Sequence, residues 1–266
     1  MTGTQYGQLL PMILPSAPPS VGASILCGTQ SYSVRIAKSR QDLEKAQRLR
    51  FEVFNLELHE GLDSAYLTGL DCDPFDEVCD HLLVEHIASS TIVGTYRLQT
   101  GLIAAAGKGY YSANEFDFSP FESIRHELVE AGRACVHSDH RNLSVIHLLW
   151  RGIALYSQAR GVRYLIGCSS INSQDPAEGW GTYKFLEANA LVEPRFRTTP
   201  LQGLELPTSS DTLRTVRPPR LLRAYLTVGA KVCGPPAIDR EFRTIDFLTF
   251  MDLEGVPDSV RTHFLV

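Results

Sequence analysis

Charged residues recur at fixed intervals through apolar segments of this chain. They run Arg50-x-x-x-Phe54, Asp71-x-Asp73-x-x-Asp76, Arg97 in VGTYRL, and Glu130-x-x-Arg133 in ELVEAGRACV. Arg97, Glu130 and Arg133 fall in segments that read as strands, where an unpaired charge is costly to bury. Charges kept there either pair with one another or line a polar cleft. Acids and arginines in similar number point to a site for a ligand carrying both an ammonium and a carboxylate.

A regular strand puts Glu130 and Arg133 on opposite faces, because side chains alternate with a period of two. A bulge near Ala131-Gly132 brings them to one side and frees backbone N–H groups, which can hold a thioester carbonyl and its developing oxyanion. Simple pairing with neighbouring strands remains the plainer alternative. The aspartate triplet lacks the glycine and the distal glutamate of a helix–loop–helix calcium site, leaving solvated loop acids, an ammonium site, or braces for Arg50 and Arg97. His137-x-x-His140 has no third ligand nearby, so no metal is expected. There is no G-x-S-x-G, and Cys135 and Cys168 sit in apolar strands with no sign of activation. Direct attack by a bound amine is therefore favoured over an acyl-enzyme.

HSDHRNLSVIHLL leads from a strand into a helix, whose first N–H groups favour phosphate. It carries Arg141, Asn142 and Ser144 and no glycine, which suits a single phosphodiester such as phosphopantetheine better than a pyrophosphate. From Arg214 to Lys231 the chain holds Arg217, Arg220 and Arg223 as well, and no acid. That run suits an acidic carrier protein, an anionic membrane surface, or a plain solvated helix face.

The elements that must position these groups are legible from periodicity. SYSVRIA (31–37) alternates as a strand, and Ser39 caps a helix with apolar residues at Leu43, Ala46, Leu49, Val53 and Leu56. HEGLDSAYLTGLDCDPFD reads as a loop. HLLVEHI and TIVGTYRLQT form an antiparallel hairpin turning at Ser89–Ser90. GLIAAAGKGYYSANEFDFSP reads as a long connection. Residues 126–137 are a central strand, 145–161 a helix ended by Gly161, and 162–170 a strand, which makes a parallel crossover. A helix at 176–190, a basic amphipathic helix in PRLLRAYLTVGAK and a strand at 244–253 complete the chain. The expectation is an α+β, mixed α/β protein with one parallel crossover beside antiparallel hairpins.

With 266 residues, 44% hydrophobic and 21% charged, the chain suits one substantial domain. Residues 1–30, rich in Pro, Ser, Gly and Thr, read as a flexible leader, and 31–266 as the domain, including a basic C-terminal extension from about 211. A net charge of −5 argues against nucleic acid as a partner. Six cysteines without C-x-x-C spacing read as free thiols of a reducing cytoplasm. The run LLPMILP has no basic residue before it and is broken by proline, so neither a signal peptide nor a membrane span is expected.

The segments RLRFEVF, DCDPFD, CDHLLV, VGTYRL, ELVEAGRACVH, LLWRGIALY and YLIGCSSI, with RLLRAYLTVGAKVCGPPAIDREFRTIDFLTFMDL, resemble the ornithine N-acyltransferases that make lyso-ornithine lipid. These are GNAT-like enzymes related to N-acyl amino acid synthases and acyl-homoserine-lactone synthases. The resemblance runs from about residue 32 to the end. It implies a twisted mixed sheet flanked by helices and splayed between two central parallel strands, here 127–137 and 162–169, with a pantetheine arm in the gap. It implies an acyl carrier protein as partner and its acyl-phosphopantetheine, often 3-hydroxyacyl, as co-substrate, with no bound cofactor. By position it implies Arg50, Phe54, Asp71, Asp73, Asp76 and Arg97 around the acceptor, and Glu130 and Arg133 at the reaction centre. Glu130 is the preferred base. Arg141, Asn142, Ser144, Arg220 and Arg223 are then assigned to the carrier arm. The loop ELHEGLDSAY lacks the tryptophan expected of a lactone synthase, which disfavours that chemistry. Ornithine leads as acceptor; glycine, tyrosine and a lactone-synthase-like reaction are the alternatives.

Overall fold

A computed structural model describes residues 25–208 and 215–256. Nine strands form one twisted sheet: β1 (Cys27–Gly28), β2 (Tyr32–Ile36), β3 (Asp80–His86), β4 (Thr91–Thr100), β5 (Leu128–Val136), β6 (Tyr164–Ile171), β7 (Lys231–Val232), β8 (Ala237–Asp239) and β9 (Thr244–Asp252). Their order is β1-β2-β3-β4-β5-β6-β9-β7, with β8 also on β9. Every pairing is antiparallel except β5 with β6, which are joined by the crossover helix α3 (Leu143–Arg160). The expected mixed sheet with one parallel pair at its centre is therefore the fold.

That parallel pair is short. Leu128, Val129 and Glu130 face Tyr164, Leu165 and Ile166, and the strands then part. On the other edge of β5, Arg97 faces Gly132 while Thr95 faces Cys135, so Arg133 and Ala134 together oppose Tyr96. This bulge falls two residues beyond the expected place, and Arg133 carries a left-handed φ of 50°. A non-glycine residue there is strained by about 1–3 kcal/mol, which the surrounding ion pairs must offset. Gly167 sits where β5 and β6 separate; a Cβ on it would lie 2.1 Å from the Ala131 carbonyl oxygen. Only glycine lets the strands come this close before diverging.

The two faces of the sheet are covered differently. On one, Val145, Leu149 and Ile153 of α3 pack on Val34, Leu82, Leu98, Val129 and Leu165. On the other, α1 (Arg40–Phe51) packs Ala46 and Leu49 on Leu83 and Ile92. Beside it, Phe116, Phe118 and Phe121 cover Leu128, Tyr164, Ile166 and Phe250. The connection that carries these aromatics begins with a short helix, α2 (Gly101–Ala106), which its small residues conceal in the sequence. α4 (Pro176–Ala190) and α5 (Arg220–Thr227) add their apolar sides around Ile245 and Phe247. Ser39 caps α1 through the Asp42 N–H, and Gly161 ends α3 in the left-handed region, both as the sequence predicts. α1 runs on as a wider π-type turn through Glu57, with Leu58 N–H bonded to the Val53 carbonyl at 3.0 Å. Such turns often mark sites, and this one carries Phe54.

The segment read as a C-terminal extension is built into the sheet: β9 pairs with β6 along eight positions, from Tyr164–Asp252 to Ile171–Ile245. Cys27–Gly28, read as part of the leader, pair with Val34 and Ser33. The rest of that leader up to residue 24, and Arg214 of the basic run, lie outside the described residues.

Candidate active site

The spaced charges converge. α1 turns Arg50 inward beside Ala46 and Gln47, where it is fully buried. Its Nη2 donates to the Asp71 carbonyl at 2.5 Å and to Asp76 at 2.6 Å. Its Nε lies 2.8 Å from the Asp71 carboxylate, an ion pair too poorly aligned to count as a hydrogen bond. Arg97 reaches Asp73 at 2.6 Å and Asp76 at 3.0 Å, and Arg133 reaches Asp73 at 2.8 Å and Asp71 at 3.7 Å. Three arginines from a helix and two strands thus share three aspartates of one loop. Burial alone would raise Asp76 and Asp73, but the guanidiniums outweigh it and hold both carboxyls low: Arg50 and Arg97 at Asp76, Arg97 and Arg133 at Asp73. Of the roles open to the triplet, bracing the arginines is the one the contacts make. Aromatic rings finish the cluster. The Arg133 guanidinium lies 4.0 Å from the Phe242 centroid and 5.1 Å from that of Tyr111, and Phe54 meets Phe242 edge-on at 6.4 Å.

Glu130 is the last residue of β5 paired with β6 and is 6% exposed. Its Oε2 accepts the Tyr111 N–H and its Oε1 the Ser112 N–H, both at 2.8 Å. Burial raises its pKa, and these donated hydrogen bonds restrain the rise. The bulge turns Arg133 to the Glu130 side of the sheet. Both line a small inner pocket of about 60 Å³ with Arg97, Gln99, Tyr111 and Cys168. Tyr111 and Arg133 also line a wider outer cleft of about 710 Å³, and so stand between it and the inner pocket.

Where β5 and β6 part, a slot of about 90 Å³ opens between Ala131–Ala134 and Leu165–Ser169. Trp150 and Ile153 of α3 and Tyr225 of α5 roof it, and the Tyr225 hydroxyl meets that of Tyr96 at 2.7 Å. Ala131, Gly132, Arg133 and Cys168 line both slot and inner pocket, so these residues form the wall that the two spaces share.

The residues expected at the phosphate end are partly occupied elsewhere. Arg141 forms a two-pronged pair with Glu57 at 2.5 and 2.6 Å and donates to the Val136 carbonyl. Asn142 caps α3 by accepting the Val145 N–H at 3.1 Å. Ser144 is exposed in the first turn of that helix. Arg220 is exposed at the start of α5, and Arg223 is half-buried one turn on. Two of these five thus have structural partners that the sequence does not reveal.

Sequence reasoning set Cys168 aside as an unactivated thiol and missed Gln99, Tyr111 and a buried acid pair, Glu115 with Asp246, 6% and 3% exposed. Burial raises both carboxyls; the charges of Asp246 and Asp239 add to the rise at Glu115, and that of Asp239 adds to it at Asp246. The Cys168 thiol points at Glu115 from 3.8 Å, and burial raises it far above its ordinary range. Among the described residues, donor atoms of Glu115, Cys168 and Asp246 gather within 4.8 Å. A metal requires deprotonated ligands, and burial works against deprotonating all three of these groups. No periodicity marks Glu115, because it lies in an irregular segment.

A mixed sheet that opens between two central parallel strands beside a buried carboxylate is a fold of the GNAT type. Residues 49–151 match the family model described as "Acetyltransferase (GNAT) domain". The AHL synthase LasI matches with a TM-score of 0.52 and 13% identity over 88% of this chain and 96% of its own. FeeM, an N-acyl amino acid synthase from uncultured soil microbes, matches with a TM-score of 0.52 and 10% identity over 88% and 94%. Both likenesses are of fold. The L-ornithine N(alpha)-acyltransferase of Brucella abortus is 31% identical over 92% of this chain and 93% of its own length. That of Rhodobacter capsulatus is 30% identical over 88% and 95%. The chain belongs to the L-ornithine N(alpha)-acyltransferase family.

Proposed function

We propose that this acyltransferase moves a (3-hydroxy)acyl group from the phosphopantetheine thioester of an acyl carrier protein to the α-amine of ornithine, giving lyso-ornithine lipid. The observation that carries the reading is that slot and inner pocket lie on either side of one shared wall at the β5 bulge, Ala131–Arg133, with Glu130 beside it. A pantetheine arm entering under Trp150 and Tyr225 brings its thioester to Ala131–Arg133. An amino acid entering past Tyr111 brings its amine to Glu130.

In this scheme Glu130, with its raised pKa, takes a proton from the ammonium directly or through a water. The freed nitrogen forms the new C–N bond as the thioester carbonyl becomes an oxyanion. N–H groups of β5 that no longer face β6 hold that oxyanion; each such donor is worth ~3–4 kcal/mol in the barrier. Collapse breaks the C–S bond, and the departing thiolate takes up the surplus proton from the nitrogen, leaving amide and free thiol. Arg133 and Arg97 lend positive potential for the acceptor carboxylate, and the aspartates keep that potential in place.

The basic helix α5, which supplies Tyr225 to the slot, is read as the docking face for the acidic carrier, or for an anionic membrane that receives the product. Among the described residues no helix is long and apolar enough to cross a membrane. The test is an assay of purified protein with 3-hydroxyacyl carrier protein or acetyl-CoA against a panel of amino acids, read by mass spectrometry. Amide formed from ornithine with the long-chain donor is the expected product; acetylation alone, or no turnover despite carrier binding, refutes the reading. Arg220→Glu with Arg223→Glu should raise the carrier KM several-fold, and an unchanged KM removes the docking face.

A further inference from the structure

The inner pocket holds a polar group that no ion pair or backbone contact occupies. Gln99 lies on β4 directly opposite Glu130 in the β4–β5 register. It is 1% exposed, and neither its Oε1 nor its Nε2 has a hydrogen-bond partner. It nonetheless lines the pocket with Glu130, Arg97 and Arg133. Its surroundings make this exceptional. Glu130 is satisfied by two N–H groups, and Arg97 and Arg133 are committed to Asp73 and Asp76. A primary amide with both ends empty is among the more costly things to bury, and native proteins almost always satisfy such groups.

An apolar residue of the same length would fill this β4 position without that penalty. A group kept at such expense in a pocket that shares its wall with the slot is one that a ligand completes. The amide offers one donor and one acceptor side by side, and its complement carries an acceptor and a donor on adjacent atoms. An α-amino acid has that pattern, with its carboxylate and its amine on neighbouring carbons.

We infer that Gln99 is an acceptor-binding residue: its Nε2 donates to the acceptor's α-carboxylate while its Oε1 accepts from the α-amine, aligning that amine between Gln99 and Glu130. This rests on the acceptor reading given above and adds to it. The arginines then supply long-range attraction, and a neutral amide makes the directional contact. Oε1 accepts an N–H and leaves the nitrogen lone pair turned toward the slot. Specificity for an α-amino acid over a simple amine follows from the Nε2 contact, because an amine without the carboxylate leaves that donor unpaired.

The test compares ornithine with 1,4-diaminobutane, which is ornithine without its carboxylate, in the wild type and in Gln99→Met. Met keeps the length and removes both polar atoms. The expected result is a ratio of kcat/KM, ornithine over diaminobutane, that falls at least tenfold in Gln99→Met, with the KM for the acyl donor unchanged. The melting temperature should be equal or higher, since a buried unpaired amide has been removed. Gln99→Glu, with the same shape but no donor and an added negative charge, should raise the ornithine KM further still. A ratio unchanged in Gln99→Met while the wild type acylates ornithine overturns the role of Gln99 alone. A fall in melting temperature with unaltered KM assigns Gln99 to packing and also overturns it. A wild type that acylates no amino acid overturns the acceptor reading and this inference together.

Discussion

Replacing Glu130 with Gln separates proton removal from scaffolding. Each Glu130 oxygen accepts one backbone N–H at 2.8 Å, from Tyr111 and from Ser112. Gln can keep one of these; its NH2 then faces the other N–H, donor against donor. Losing a charge-assisted bond and stranding a buried donor costs about 2–3 kcal/mol. For a chain of this size that lowers the melting temperature by roughly 4–12 °C. Loss of a general base costs about 10²–10⁴ in rate. At a temperature where both proteins remain folded, kcat should therefore fall at least tenfold, while the ornithine KM changes little. The pH profile is the sharper readout. Burial lifts the Glu130 pKa, so the basic form appears only as pH climbs through that raised value. The wild-type kcat should rise through this range, and the rise should vanish in the variant. A folded Glu130→Gln enzyme with kcat within twofold of wild type, or with the same ascending limb, refutes the assignment.

Asp73→Asn leaves Arg97 and Arg133 buried with one carboxylate fewer between them. It should destabilise by about 3–5 kcal/mol in urea unfolding, and Arg133→Met added to it should recover part of that loss. The same pairing makes stability acid-labile: Asp73 and Asp76 titrate below their unfolded values, so their contribution is complete above about pH 4 and disappears as pH falls through the lowered pKa. Glu115 runs the opposite way. Its raised pKa means the folded state retains a proton that the unfolded chain loses, so stability declines as pH climbs above about 4. Glu115→Gln should flatten that decline in melting temperature against pH. Gly167→Ala places a methyl 2.1 Å from the Ala131 carbonyl oxygen, forcing β5 and β6 apart at the mouth of the slot. Turnover should drop at least tenfold with a loss of about 1–3 kcal/mol of stability; full activity there would show that the spacing of these strands does not matter.

Periodicity alone located six of the nine described strands and four of the five described α-helices, because each of these buries one face and its side chains must repeat accordingly. Ser39 and Gly161 fixed two helix ends through local chemistry, a side chain that takes a free N–H and a residue that tolerates positive φ. The spacing of Glu130 and Arg133 raised the bulge as one of two readings, since strand geometry otherwise leaves these charges on opposite faces. The resemblance of successive motifs then named the family. What the chain could not declare was which charges meet. Arg50 is 26 residues from the Asp76 carboxylate it binds, and only the packing of α1 against the 71–76 loop decides that the aspartates brace the arginines. Arg141 looks in sequence like a phosphate ligand, yet the fold sets Glu57 against it. Gln99 is one polar letter in an alternating strand, and Glu115 and Asp246 are acids in unrelated segments. Their importance arises from burial and from what is, or is not, within about 3 Å of them, the reach of a hydrogen bond. Local propensity acts over a few residues and is written in the sequence. Desolvation and pairing depend on neighbours brought from elsewhere in the chain, and only the tertiary structure supplies those.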